Sequence, residues 1–87
     1  MLILERTERF KRAAKKLDRL DRERLQRALE GLALDLRHPS LRVKRVQGTD
    51  RIWEARASDE LRITFEMSER VELLRNVGRH DPTLKSP

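Results

Sequence analysis

The chain has 87 residues, no cysteine and a net charge of +6, with 41% charged and 37% hydrophobic residues. That length predicts one domain, residues 1–87, with a modest core and little stability to spare. The lack of cysteine excludes disulfides and thiolate zinc sites and fits a reducing cytoplasm. No apolar run is long enough to span a bilayer. The opening MLILERTERF turns charged after four residues, which predicts no signal peptide. Two histidines far apart in sequence predict no metal site.

The charge is unevenly spread. Residues 1–45 carry 14 Lys/Arg against 7 Asp/Glu, and residues 46–87 carry 7 against 8. The basic field therefore belongs to the first half, where it would attract a polyanion or an acidic protein, or only solubilise the surface. So high a charge content without pattern would suggest disorder. Here the apolar residues recur at regular spacing, which predicts a fold.

Leu2-Ile3-Leu4 reads as a short edge strand. Thr7 can cap a helix, and Phe10, Ala13, Ala14 and Leu17 follow at helical spacing as one apolar stripe. Asp18-Arg19-Leu20-Asp21 reads as a turn, with Asp21 as the N-cap of a second helix. Leu25, Ala28, Leu29, Leu32 and Leu36 form the second stripe. His38-Pro39-Ser40 ends it, because the residue before proline is pushed out of the helical region. Two amphipathic helices with a short link predict an antiparallel hairpin. Leu41 to Gly48 is a basic connector, and Gly48-Thr49-Asp50 is a turn signal.

The second half reads as three antiparallel strands: Ile52 to Ala57, Leu61 to Met67 and Val71 to Val77. Ser58-Asp59-Glu60 and Ser68-Glu69-Arg70 turn between them. Alternation in Leu61-Arg62-Ile63-Thr64-Phe65 sets the faces. Leu61, Ile63, Phe65, Trp53, Ala55, Val71, Leu73 and Val77 are expected to face the helices. Glu54, Arg56, Arg62, Leu74, Asn76 and His80 are expected on the far side. By the same count Arg75 falls on the core side, where only snorkelling at an edge or a bulge near Gly78 could accommodate it. The expected fold class is thus α+β: a short N-terminal strand, a two-helix hairpin and a three-stranded antiparallel sheet, with the helices on one face. Residues 82–87, with two prolines, are expected to form a flexible tail.

This order, with Arg62 opening the middle strand, the closing Val77-Gly78-Arg79-His80-Asp81 and the connector Val43-Lys44-Arg45-Val46-Gln47-Gly48, resembles the RelE/ParE superfamily of bacterial toxin–antitoxin systems. The nearest likeness is to its RelE, YoeB and YafQ branches. The resemblance implies a toxin that cuts mRNA on the ribosome without a metal or other cofactor, inhibits translation in the cytoplasm and is held inactive by a small antitoxin protein. It implies that Arg62 and His80 belong to the active site. The chain departs from the pattern in having no tyrosine, in Asp81 after His80, and in Leu84 where an aromatic residue is common. It also shows no signal for the C-terminal helix found in some members.

The residues suit that chemistry. Metal-free RNA cleavage needs a base for the 2′-hydroxyl, cations for the phosphoryl charge and an acid for the 5′-oxygen. His80 can serve as acid or base. Arg62 and Arg56 can grip phosphate oxygens through two donors, and Glu54 can act as a base or orient one. Lys44, Arg45 and Arg79 are expected to bind RNA phosphates. Arg62 could instead pair only with Asp59, Glu60 or Glu66. Two other functions stay open at this level: a ParE-like, non-enzymatic inhibitor of DNA gyrase, and a degenerate member that binds only its antitoxin.

Overall fold

The structure is a computed structural model that describes residues 2–87. Strand β1 (Ile3–Arg6) leads into helix α1 (Glu8–Lys15) and helix α2 (Arg19–Leu34). A 3-10 turn (Pro39–Leu41) and the two-residue strand β2 (Lys44–Arg45) follow. Strands β3 (Ile52–Arg56), β4 (Leu61–Met67) and β5 (Val71–Arg79) complete the sheet, and helix α3 (His80–Lys85) closes the chain. Among the described residues, no helix is long and apolar enough to cross a membrane.

The local signals act as expected at α1, where the Thr7 side chain accepts the Phe10 N–H. At α2 the cap is Asp18, not Asp21: its carboxylate accepts the Asp21 N–H at 2.8 Å. The turn before it is correspondingly shorter. Asp21 is left in the first helical turn, where a carboxylate still favours the positive end of the helix dipole. Gly31 lies inside α2 despite a cost of about 1 kcal/mol relative to alanine. A β-carbon there would meet Leu41 at 3.5 Å, an ordinary contact, so the packing against the 3-10 turn does not require glycine.

The sheet is larger than expected and mixed in direction. Its order is β1-β5-β4-β3-β2, five strands rather than three. The expected edge strand at Leu2–Leu4 is present, at one edge of this sheet and shifted to Ile3–Arg6. It forms β1, which runs parallel to β5 with Ile3 opposite Val71. Such a pairing, across nearly the whole chain, leaves no trace in local periodicity. The basic connector supplies β2, with Lys44 opposite Glu54 and Arg45 opposite Trp53.

Helices α1 and α2 cover one face. Phe10, Leu25, Ala28, Leu29 and Leu32 pack there against Ala55, Leu61, Ile63, Phe65, Leu74 and Val77. Trp53 lies on this face too, partly buried against the same core.

Strict alternation fails in β5. Thr64 pairs with Asn76 but Phe65 pairs with Leu74, so Arg75 is an extra, unpaired residue, a β-bulge. The bulge exchanges the faces of everything before it. Leu74 is fully buried in the core, and Leu73, expected there, shares the far face with Glu66. Arg75 also turns to the far face, where its Nη1 donates to Glu66 Oε2 at 2.6 Å. The bulge answers the misplaced arginine; snorkelling is not needed. It also turns Glu72 inward. Glu72 is fully buried, and among the described residues neither carboxylate oxygen has a hydrogen-bond partner.

The expected tail is a third layer. Helix α3 lies across the far face, against β4 and β5. Thr83 is buried, Thr64 Oγ1 donates to Pro87 O at 3.0 Å, and Asn76 Nδ2 donates to Ser86 O at 3.2 Å. Arg75 Nε donates to the same Pro87 carbonyl at 3.2 Å. Two prolines do not prevent this: Pro82 sits in the first turn of α3, where no intrahelical donor is needed, and Pro87 lies beyond its end.

Candidate active site

The β3–β4 turn, residues 58–60, is the centre of the candidate site. Arg62 is the residue that β4 aims back at it. Its Nη1 donates to Ser58 O at 2.8 Å, Asp59 O at 3.1 Å and Leu61 O at 3.3 Å. Its Nε lies 3.8 Å from Glu54 Oε1, an attraction without a hydrogen bond. Both side chains are well covered, 14% exposed for Arg62 and 7% for Glu54. Among the described residues Nη2 donates to no protein group. The guanidinium is thus held on one side and carries free donors on the other.

Arg56 is opposite Arg62 in the β3–β4 register and pairs with Asp59 of the same turn. Two guanidinium groups on adjacent strands would repel each other; the turn's carbonyls and the Asp59 carboxylate offset this. His80 reaches the turn through its backbone, its N–H donating to Glu60 O at 2.8 Å. Its side chain is half exposed, and Nδ1 meets Asp81 Oδ1 at 2.7 Å. That hydrogen bond, with the charge attraction to His80, holds the Asp81 carboxyl below its ordinary range. A proton on Nδ1 shared with Asp81 leaves Nε2 as the imidazole atom open to a ligand.

The expected residues therefore fall into groups. Glu54, Arg56 and Arg62 share the far face and converge on residues 58–60. His80 joins the same turn from the start of α3, not from the end of a strand. Lys44, opposite Glu54, lies on their face. Arg45 does not: opposite Trp53, it belongs to the helix side. Arg79 is exposed and paired with Leu61, again on the helix side, where it lines a cleft with Asp18, Asp21 and Glu60. A one-residue offset along a strand changes the face, so neighbouring basic residues do not act as a unit.

Sequence reasoning misses Thr83 and the close packing it makes. Gly78 is opposite Arg62 on the far face, and a β-carbon on it would come within 2.7 Å of Thr83 Oγ1. Glycine at this point lets α3 lie flat on the sheet and fixes where His80 begins. Replacing Gly78 with alanine will destabilise the protein by about 1–3 kcal/mol, the usual cost of overpacking. Thr83→Ala in the same chain will recover most of that loss. Urea midpoints of the two single variants and the double check this, and additive losses would mean that the two residues do not touch.

No protein-family model matches the chain, and no curated protein sequence does. Its shape does match solved structures. The RelE–RelB complex of Pyrococcus horikoshii OT3 superposes with a TM-score of 0.74 at 14% identity, over 92% of this chain and 96% of that one. The fold is that of the RelE-like toxins. The intact RelBE toxin–antitoxin complex of E. coli matches with a TM-score of 0.71 at 20% identity, covering 93% and 99% of the two chains. YafQ of E. coli matches at 0.69 and 12% identity, covering 95% and 98%. The RelE-like fold thus accounts for the whole arrangement of helix hairpin, mixed sheet and closing helix, at identities too low for sequence matching.

Proposed function

We propose that the chain is the toxin of a type II toxin–antitoxin pair and an endoribonuclease that cuts mRNA on the ribosome, in the cytoplasm, without a metal. The observation that carries this reading is the anchoring of the Arg56 and Arg62 side chains and of the His80 backbone N–H at the β3–β4 turn, with Arg62 Nη2 and His80 Nε2 left open. The RelE-like fold supports it, and so does the occurrence of RelE-type neighbours in complexes with antitoxins.

In this reading the scissile phosphate sits against Arg62, whose free donors take the charge that grows on the non-bridging oxygens. Arg62 needs no rearrangement, because the turn carbonyls already fix its plane. His80 Nε2 takes the 2′-hydroxyl proton as that oxygen bonds to phosphorus, and the P–O5′ bond breaks with the departing 5′-oxygen taking a proton from the imidazolium or from water. The ionised Asp81 steadies the imidazolium that forms, holding Nδ1–H as a donor. Glu54 balances Arg62 instead of serving as a base, since it is buried beside the guanidinium. Lys44 extends the cationic face along β2. The partner is an antitoxin protein that neutralises this surface.

Induction in a growing bacterial host, followed by mapping of RNA 5′ ends, tests the reading. New ends within translated messages, lost with His80→Ala, are the expected result. Growth arrest with DNA damage and no new RNA ends would instead identify a gyrase inhibitor, and no growth defect would remove the toxin reading.

A further inference from the structure

A second cationic cleft lies on the opposite, helix-bearing side of β3. It has a volume of about 340 Å³ and is lined by Arg24 and Arg27 of α2, His38 and Ser40 of the 3-10 turn, and Arg56 at the end of β3. Arg24 and Arg27 of α2 line it with Arg56 at its rim, and no carboxylate among the described residues lines it. Arg27 makes no ion pair among the described residues, and Arg24 has only Asp21 in the next turn, at 2.9 Å. His38 adds a fourth donor. Its Nδ1 accepts the Ser40 N–H at 3.2 Å, so in the neutral ring the proton is on Nε2.

The rest of the lining is Ala28, Gly31, Leu41 and Ala57, all small or already packed. The cleft therefore sets donors round a shallow floor of small apolar residues. In this it differs from the groove between α1 and α2, whose floor includes Phe10, Leu25 and Leu29. A fork of guanidinium donors around a space of this size suits a phosphate with its sugar. It does not suit the apolar face of a peptide helix, which needs pockets for large side chains.

Arg56 belongs to both places. It lines this cleft and pairs with Asp59 in the turn that anchors Arg62. We propose that the cleft binds a backbone phosphate of the same RNA strand that occupies the candidate active site, the strand bending round the end of β3 at Arg56. The inference rests on the chain acting on RNA and assigns a binding role to Arg24, Arg27 and His38.

Binding of a short fluorescent single-stranded RNA to the His80→Ala protein, followed by anisotropy over a range of salt, tests it without reading cleavage. For every phosphate that the protein no longer neutralises, the slope of log affinity against log salt falls by about 0.7. The Arg24→Ala/Arg27→Ala pair is expected to lower it by about 0.7–1.4, for one or two phosphates, and to weaken binding at low salt. Lys15→Ala/Arg22→Ala removes the same charge from the α1–α2 groove and is expected to leave the slope nearly unchanged. An unmoved slope with the first pair, or an equal fall with both pairs, overturns the cleft assignment alone. No RNA binding by the parent protein overturns the cleft assignment, and leaves the ribosome-dependent ribonuclease reading to the mapping of RNA 5′ ends. An unmoved slope with loss of an acidic co-purifying protein would make the cleft a protein-binding surface and also overturns it.

Discussion

Arg62→Ala is expected to cut the proposed RNA cleavage sharply and also to unsettle the fold, and the two effects can be separated. The substitution leaves Glu54, 5% exposed, without its buried cation. Removing one partner of a buried pair costs about 3–5 kcal/mol, because the remaining charge is stranded. The turn carbonyls of Ser58 and Asp59 lose a donor as well. For so small a domain this is a large share of the total stability. Activity should fall by a factor of about 10²–10³, the usual effect of losing a group that neutralises transition-state charge. Adding Glu54→Gln neutralises the stranded carboxylate. The double variant is expected to regain most of the stability, seen in its urea midpoint, and none of the cleavage. Recovery of cleavage along with stability would mean that Arg62 serves only the fold.

Glu72→Gln will stabilise the protein at pH 8 by about 3 kcal/mol and change it little at pH 4. Glu72 is fully buried on the helix side, and among the described residues neither oxygen has a partner. Burial pushes its carboxyl from 4.5 up to about 7. Between those values the unfolded chain has lost the proton that the folded chain still holds. Stability therefore falls as pH rises through this window, and the full penalty is present above it. The magnitude follows from the free energy of proton binding, about 1.4 kcal/mol for a tenfold change in affinity. The glutamine variant keeps the shape and loses the titration. Urea unfolding of both proteins from pH 4 to pH 8 checks this, and parallel profiles would show that Glu72 finds a partner or water. The direction is opposite to that of most carboxylates, whose ion pairs strengthen folding as pH rises.

Both predictions turn on features of different legibility. Placing Arg62 and Glu54 on one face needs only alternation in β3 and β4, where no residue is inserted and the count runs true. The α1 cap and both helical stripes are equally local and readable, except that α1 ends before Leu17 and α2 ends at Leu34, before Leu36 and His38. Glu72 is not legible, because the Arg75 bulge resets the count within β5. One signal is present: a charged residue assigned to the core is a contradiction, and a bulge is one way to remove it. The partner of β1 and the helix α3 are hidden for another reason. The place of β1 in the sheet depends on partners 68 residues away, and α3 is held by the far face rather than by an apolar stripe of its own. Continuing β5 past Gly78 puts His80 in the right neighbourhood, although it opens a helix instead. Arg45 and Arg79 lie on the helix side, apart from Arg62, because each is one strand position off the far-face residues beside it.

The strand order has a consequence for how the chain acquires its shape. β5 lies between β1 and β4, so the strand made last in the sheet is the one that joins its two parts. Until Val71–Arg79 is available, β1 has no partner and β4 presents an open edge of Leu61, Ile63 and Phe65. Closing the sheet requires a loop that spans most of the chain, which raises the entropic barrier and slows folding. The helix hairpin, by contrast, can form early from local contacts alone. A chain interrupted before β5 would hold its α1–α2 hairpin beside an adhesive half-sheet, prone to aggregation and to proteolysis. Synthesis of the last strand is thus the step that commits this protein to being either folded or discarded.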